Sequence, residues 1–246
     1  MKKYIVANWK ANPNTLLDAS RLINEYLKLD RKSVDLIVCP PYTFLSVFKN
    51  TKIKLGAQNI SSFDSGPYTG EVTASMLKSV GIKYCIVGHS ERRKMGETTE
   101  DITRKLRLLL KNNITPILCI GEKVRGTNGE HFSEISENLI QSIKDLPKKS
   151  ISNIIVAYEP LWAISTENNG AITCEMLNET IIFIKKVLSD FVGRKFASNI
   201  KIVYGGSVDD KTIKDLNHSE SLDGFLIGKA SLKSTSLKKI LQIFSL

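Results

Sequence analysis

The apolar positions of this chain gather into eight short runs rich in β-branched residues, at 4–7, 34–39, 53–57, 84–87, 114–120, 154–158, 200–204 and 225–227. Inside each run the apolar side chains are nearly continuous rather than alternating with polar ones. That is the pattern of a strand covered on both faces, as in a parallel sheet. Between the runs the apolar spacing changes to three and four, most clearly over 16–27, 102–110, 135–143, 176–188 and 237–244. This spacing predicts helices that pack by one face. Eight strand–helix units in 246 residues fit a closed parallel (β/α)8 barrel, the TIM-barrel class of α/β fold. A doubly wound open sheet is the competing arrangement, but no GxGxxG turn follows the first run. No linker or low-complexity tract breaks the alternation, so residues 1–246 are expected to form a single domain.

A barrel directs attention to one rim, because side chains just past the C-terminal ends of all eight strands converge there. At those positions stand Asn8 and Lys10, Gln58 and Asn59, His89 with Ser90 and Glu91, Glu122, Glu159, Tyr204 to Ser207, and Gly228 with Lys229. Glu159 follows the apolar run 154–158 directly and precedes Pro160, which cannot continue a ladder. A lone acid in that position is a solvated loop residue, an ion-pair partner or a poised base. The residue pattern alone leaves all three open.

Composition narrows the partners. The 42% apolar and 24% charged content is that of an ordinary globular chain, and no stretch approaches the roughly 20 apolar residues of a membrane span. The net charge of +10 would suit nucleic acid, yet the lysines come as scattered pairs such as Lys148-Lys149 and Lys185-Lys186, without interleaved aromatics. Solvated helix faces are expected, with a positive field that draws in a small anion. After Met1-Lys2-Lys3 only a few apolar residues precede Asn8 and Lys10, too few for a secretory signal. Cys39, Cys85, Cys119 and Cys174 lack CxxC spacing and read as reduced thiols, which points to the cytoplasm. His89, His131 and His218 have no paired spacing, so neither a metal nor a cofactor is expected.

Eight short motifs taken together resemble the triosephosphate isomerase family over nearly the full length. They are Ala7-Asn-Trp-Lys10, Ala57-Gln-Asn59, Tyr68-Thr-Gly-Glu71, Val87-Gly-His-Ser-Glu-Arg-Arg93, Cys119-Ile-Gly-Glu122, Ala157-Tyr-Glu-Pro-Leu-Trp-Ala163, Tyr204-Gly-Gly-Ser-Val208 and Asp223-Gly-Phe-Leu226. The resemblance implies an aldose–ketose isomerase that interconverts dihydroxyacetone phosphate and glyceraldehyde 3-phosphate through an enediolate, in glycolysis and gluconeogenesis. It implies Glu159 as the base and His89 as a neutral donor to the substrate oxygens. Lys10 would supply positive charge near the oxyanion, Asn8 would help to place the substrate, and Glu91 would accept from Lys10 or from a substrate proton. Arg92 and Glu122 would act as scaffolding, and Cys119 would pack beneath Glu159. His131 and His218 are assigned no chemistry.

The phosphate end departs from the family pattern. The family holds the phosphate with backbone N–H groups, which here would come from Ser165, Ser207, Gly228 and Lys229. The usual Ile-Gly-Thr-Gly lid reads Ile164-Ser-Thr-Glu167, and Lys229 replaces the second glycine after strand eight. The segment after the lid is about two residues longer than the family commonly has. Backbone donation survives any substitution except proline, so the changes bear on geometry and charge. Two further readings therefore stand beside the first: a related isomerase with another small hydroxy-carbonyl substrate, and a barrel that binds without turnover. The loop 59–72 corresponds to the family's subunit-crossing loop and implies a homodimer in which Thr69 reaches the partner's Lys10 region. Ala11 stands where a bulkier methionine is common, implying a looser contact at that point.

Overall fold

The computed structural model describes residues 2–48, 51–126, 128–164, 171–219 and 221–245. Eight strands alternate with helices: β1 (Lys3–Asn8), β2 (Val34–Cys39), β3 (Lys54–Ala57), β4 (Tyr84–Val87), β5 (Thr115–Ile120), β6 (Ile155–Tyr158), β7 (Lys201–Tyr204) and β8 (Gly224–Ile227). The longer helices are α1 (Leu16–Leu27), α4 (Thr99–Lys111), α5 (Glu130–Ile143), α8 (Cys174–Val192) and α11 (Ser234–Ile243). Shorter ones are α2 (Ala74–Ser79), α3 (Ser90–Lys94), α6 (Lys148–Ile151), α7 (Leu161–Ile164), α9 (Arg194–Ala197) and α10 (Asp210–Leu216). Every strand pairs in parallel with its sequence neighbours, and β1 pairs with both β2 and β8, so the sheet closes on itself. The expected (β/α)8 barrel is the observed one.

Closure explains the continuous apolar runs. One set of strand residues, including Val6, Ile37, Ile86, Ile117, Ile155, Val203 and Leu226, fills the barrel interior. The alternate set, including Ile5, Val38, Val87, Leu118, Val156 and Phe225, packs outward with Ile102, Leu106, Ile181 and Ile240 of the helices. Both faces leave water, and each fully buried Val, Leu or Ile contributes about 1.5–3 kcal/mol relative to an exposed one. Polar alternation would cost stability on either face.

The helices extend past the apolar spacing that reveals them, because polar caps set their ends. Thr98 and Asp101 form a reciprocal capping box that starts α4 at Thr99, and the Thr173 side chain accepts from Met176 N to start α8 at Cys174. The six shorter helices are too short for a periodic signal, even the two longest of them, α2 and α10. The starts of these two are nonetheless capped by Thr73 and by Asp209. Among the described residues no helix is long and apolar enough to cross a membrane.

Candidate active site

The rim at the C-terminal strand ends encloses a cavity of about 740 Å³. Of the residues singled out in the sequence, Asn8, Lys10, His89, Glu159, Ser207, Gly228 and Lys229 all line it. Glu91 lies beside the cavity rather than on its lining and reaches it through Lys10. Ser165, with Glu167, lies outside the described residues.

Lys10 is held in an unusual backbone conformation, φ = 53°, which a side chain bearing a Cβ adopts only when its surroundings impose it. Two side chains impose it here. Its N–H donates to Asn8 Oδ1 at 3.0 Å, and its carbonyl accepts from Gln58 Nε2 at 2.8 Å. The same Gln58 nitrogen donates to Cys39 O at 2.9 Å, tying the ends of β1, β2 and β3 together. The Lys10 ammonium then meets Glu91 Oε1 at 2.6 Å. Burial works to raise the Glu91 pKa, but the hydrogen bond and charge of Lys10 outweigh it and hold the carboxylate below its ordinary range. Gln58 was legible only as part of a motif. Its task emerges from the two hydrogen bonds.

His89 ends the β4 segment and caps the short helix α3. Its Nδ1 accepts from Glu91 N at 3.2 Å, so the ring proton of a neutral imidazole belongs on Nε2. Nε2 lies 3.4 Å from Glu159 Oε1 and on the cavity wall, where a hydrogen-bond donor can face a bound oxygen. The opposite helix-terminal arrangement, an Nδ1 donor, would clash with the α3 N–H groups.

Glu159 is 2% exposed. Its Oε2 accepts from Ser90 N at 3.4 Å, while Oε1 is buried with no hydrogen-bond partner. Burial raises its pKa, and the nearby His89, the Ser90 N–H, the Cys119 thiol and Lys10 only partly counter that shift. A carboxylate with one unsatisfied buried oxygen is a stronger base than a solvated one. Cys119 does lie against it: burial, followed by the Glu159 charge, pushes the thiol well above its ordinary range.

Two glycines make room for Glu159, one for its backbone and one for its side chain. A Cβ at Gly121 would sit 1.9 Å from Glu159 O, and one at Gly205 would sit 2.8 Å from Glu159 Cγ. The segment after Glu159 is anchored by fully buried Glu122. Its Oε1 accepts from Tyr158 Oη at 2.9 Å and Trp162 Nε1 at 2.8 Å, and its carbonyl accepts from Leu161 N at 2.9 Å. Scaffolding between β4 and β5 falls to Arg93 rather than Arg92. Arg93 donates from Nε to Gly88 O at 2.8 Å and from Nη2 to Cys119 O at 3.2 Å. Among the described residues no group of three or more His, Cys, Asp or Glu is arranged to hold a metal ion.

The raised pKa of Glu159 has a consequence for stability. The folded state binds this proton more readily than the unfolded chain does, so the ionised carboxylate is tolerated least well in the fold. The penalty is absent at a pH below the unfolded pKa, grows as pH rises through the folded pKa, and is complete above it. Glu159→Gln is therefore expected to melt like the wild type in acid and higher at neutral pH. A gain of about 1 kcal/mol corresponds to roughly 2–4 °C for a chain of this size. Thermal melts across pH at fixed protein concentration check this; an equal Tm difference at every pH would remove the assigned cause.

Comparisons with known proteins place the chain among its relatives. The triosephosphate isomerase family model matches residues 3–244. A triosephosphate isomerase of Clostridium botulinum (strain Langeland) is 38% identical over 96% of this chain and 97% of its own length. One of Clostridium novyi (strain NT) is 38% identical over 98% of each chain. One of Bacteroides fragilis (strain ATCC 25285) is 39% identical over the whole of both chains.

Proposed function

The chain belongs to the triosephosphate isomerase family, and from that premise we propose that it interconverts dihydroxyacetone phosphate and glyceraldehyde 3-phosphate by the following use of its rim. Glu159 removes a proton from the carbon beside the substrate carbonyl. The electron pair released passes to the carbonyl oxygen, which becomes an enediolate oxygen. His89 Nε2–H donates to that oxygen, and the Lys10 ammonium lies near the developing charge. Asn8 steadies both Lys10 and the substrate, and Glu91 holds the Lys10 ammonium in place. His89 gives its Nε2 proton to the former carbonyl oxygen and takes the proton of the neighbouring hydroxyl in exchange, and Glu159 returns its proton to the carbon that bore the original carbonyl, which completes the isomerisation. The observation that carries this reading is the buried, unpartnered Glu159 Oε1 beside His89 Nε2 at 3.4 Å, in the wall of the cavity.

The phosphate is assigned to the N–H groups of Ser207, Gly228 and Lys229, with Ser165 as the lid's contribution. Support comes from Ser207, Gly228 and Lys229 lining the same cavity as the base, and from the short helical turn that begins at Lys229. A coupled assay with triose phosphates in both directions tests the whole reading. Turnover that is competitively inhibited by a phosphorylated enediolate mimic is the expected result. No turnover from a folded sample would sink it.

We also assign a homodimer built on the loop 59–72, acting in the cytoplasm. The loop is closed at its base by Ser61 N donating to Val72 O at 2.9 Å, and at its tip Phe63 and Tyr68 stack with ring centres 3.9 Å apart. Both rings are large, apolar and exposed, as is Met95 on the neighbouring connection, and Arg92 Nε is buried without a hydrogen-bond partner. Covering these groups is what a second subunit would do. Removing residues 65–68 is expected to give monomers with kcat lowered roughly tenfold or more, since small displacements around Lys10 are costly. Sedimentation of a fully active wild-type monomer would refute the assignment. The cytoplasmic placement is supported by four free cysteines, three of them buried.

A further inference from the structure

The cavity is roomier than a triose phosphate requires. About 740 Å³ lies in the range that houses drug-sized ligands, of roughly 300–1,000 Å³, whereas a triose phosphate has only three carbons and one phosphate. Asn8, His89 and Glu159 form its buried end. Past Ser207 and Gly228 it continues between the connections that lead into α10 and α11, where Thr212, Lys233 and Ser236 line it.

This outer part carries two cations that are uncommitted among the described residues. Lys229 opens a single 3₁₀ turn, Lys229–Leu232, and Lys233 follows it directly, so the two side chains flank one short turn. Both are exposed cavity-lining residues, and neither ammonium has a hydrogen-bond or ion-pair partner among the described residues. Lys10, the other lysine of the cavity, is already engaged by Glu91. The acids on this stretch of lining are engaged too. Asp209 Oδ1 accepts from Lys211 N, Thr212 N and Thr212 Oγ1, and Asp210 lies 3.6 Å from Lys239 Nζ. Two positive charges with no partner among the described residues, at the mouth of a walled cavity, concentrate anions there.

We propose that Lys229 and Lys233 form an outer anion seat, which takes the second phosphate of a diphosphate or bisphosphorylated ligand whose first phosphate rests at Ser207 and Gly228. The inference rests on the phosphate placement given above. The Lys229 backbone serves the inner phosphate while its side chain, four methylenes long, reaches the outer one. Such a ligand spans the mouth and competes with substrate, so the enzyme senses doubly phosphorylated metabolites through its own active site. A substrate with one phosphate leaves the seat empty.

The test compares inorganic orthophosphate with inorganic pyrophosphate as inhibitors, without divalent cations and at constant low ionic strength. Both are expected to compete with triose phosphate, with a pyrophosphate inhibition constant about tenfold lower, in line with two charge-assisted contacts partly screened by solvent. Lys233→Ala is expected to shrink that gap to about threefold or less, leaving the KM for triose phosphate and the orthophosphate constant within about twofold. Lys233→Arg should restore most of the gap. The seat is overturned if pyrophosphate binds no better than orthophosphate in the wild type, if it inhibits without competing, or if Lys233→Ala leaves the gap intact. Orthophosphate that fails to compete while turnover is normal overturns the phosphate placement itself, and the seat with it. Because Lys233 is exposed and caps nothing with its side chain, the variant is expected to fold, and its melting temperature confirms that it has.

Discussion

Glu159→Asp is expected to lower kcat on the order of 100-fold while leaving KM for triose phosphate little changed. The shorter side chain withdraws the carboxylate by about one bond length, and a misplacement near 1 Å costs a proton transfer that much. The structure makes the loss hard to recover. Backbone carbonyl and carboxylate stem of Glu159 are wedged against Gly121 and Gly205, so the main chain has no room to advance and make up the distance. The pH profile gives a second readout. Burial lifts the Glu159 pKa, so the acid limb of kcat/KM is expected to lie above the range of a solvated carboxylate. Aspartate that turned over at the wild-type rate would show that Glu159 is not the base, whatever its burial.

His89→Gln is expected to cost about 100-fold in kcat as well, through a different term. The glutamine amide still donates, but no longer from a rigid ring aimed by the α3 N–H, and losing one aligned donor to a developing oxyanion costs roughly 100- to 1,000-fold. Stability should fall only modestly, because the buried imidazole makes one hydrogen bond, from Glu91 N, among the described residues. The two variants differ in how they should respond to pH. Glu159→Asp is expected to move the acid limb to lower pH, because an aspartate is the stronger acid, whereas His89→Gln is expected to lower the whole profile and move the limb upward, because His89 helps to hold the Glu159 pKa down. A His89→Gln protein that melts early, yet retains full activity per folded molecule, would identify the histidine as a packing residue and leave the oxyanion without its assigned donor.

The fold was legible because its main determinant is local. Each of the eight strands lies within or overlaps an apolar run of the sequence, and the long helices follow apolar residues spaced three and four apart. Burial on both faces of a parallel barrel writes itself into consecutive residues, so 154–158 announces a strand before anything is known of its neighbours. Motif residues were legible for a related reason: strand ends on a barrel share one rim, and position along the chain already places Asn8, His89, Glu159 and Gly228 there. Features that span less than two full helical turns were not. Helices α2 and α10 have six and seven residues and are recognised by their caps rather than their spacing.

What the chain by itself determined is therefore the architecture, the family and the identity of the rim residues. The surroundings that bear on which of three meanings Glu159 carries were set only by tertiary structure. Ser90 N–H, the His89 ring, Gly205 and Cys119 come from three other segments, and it is their meeting that buries the carboxylate and leaves Oε1 unpartnered. The same holds for Lys10, whose left-handed backbone depends on Gln58, 48 residues away, and for the division of labour between Arg92 and Arg93. The physical reason is common to all of them. Burial on a strand depends on hydrophobicity that each residue carries with it, whereas a pKa, a tautomer or a strained dihedral depends on distances and directions between groups that the chain brings together only by closing the barrel.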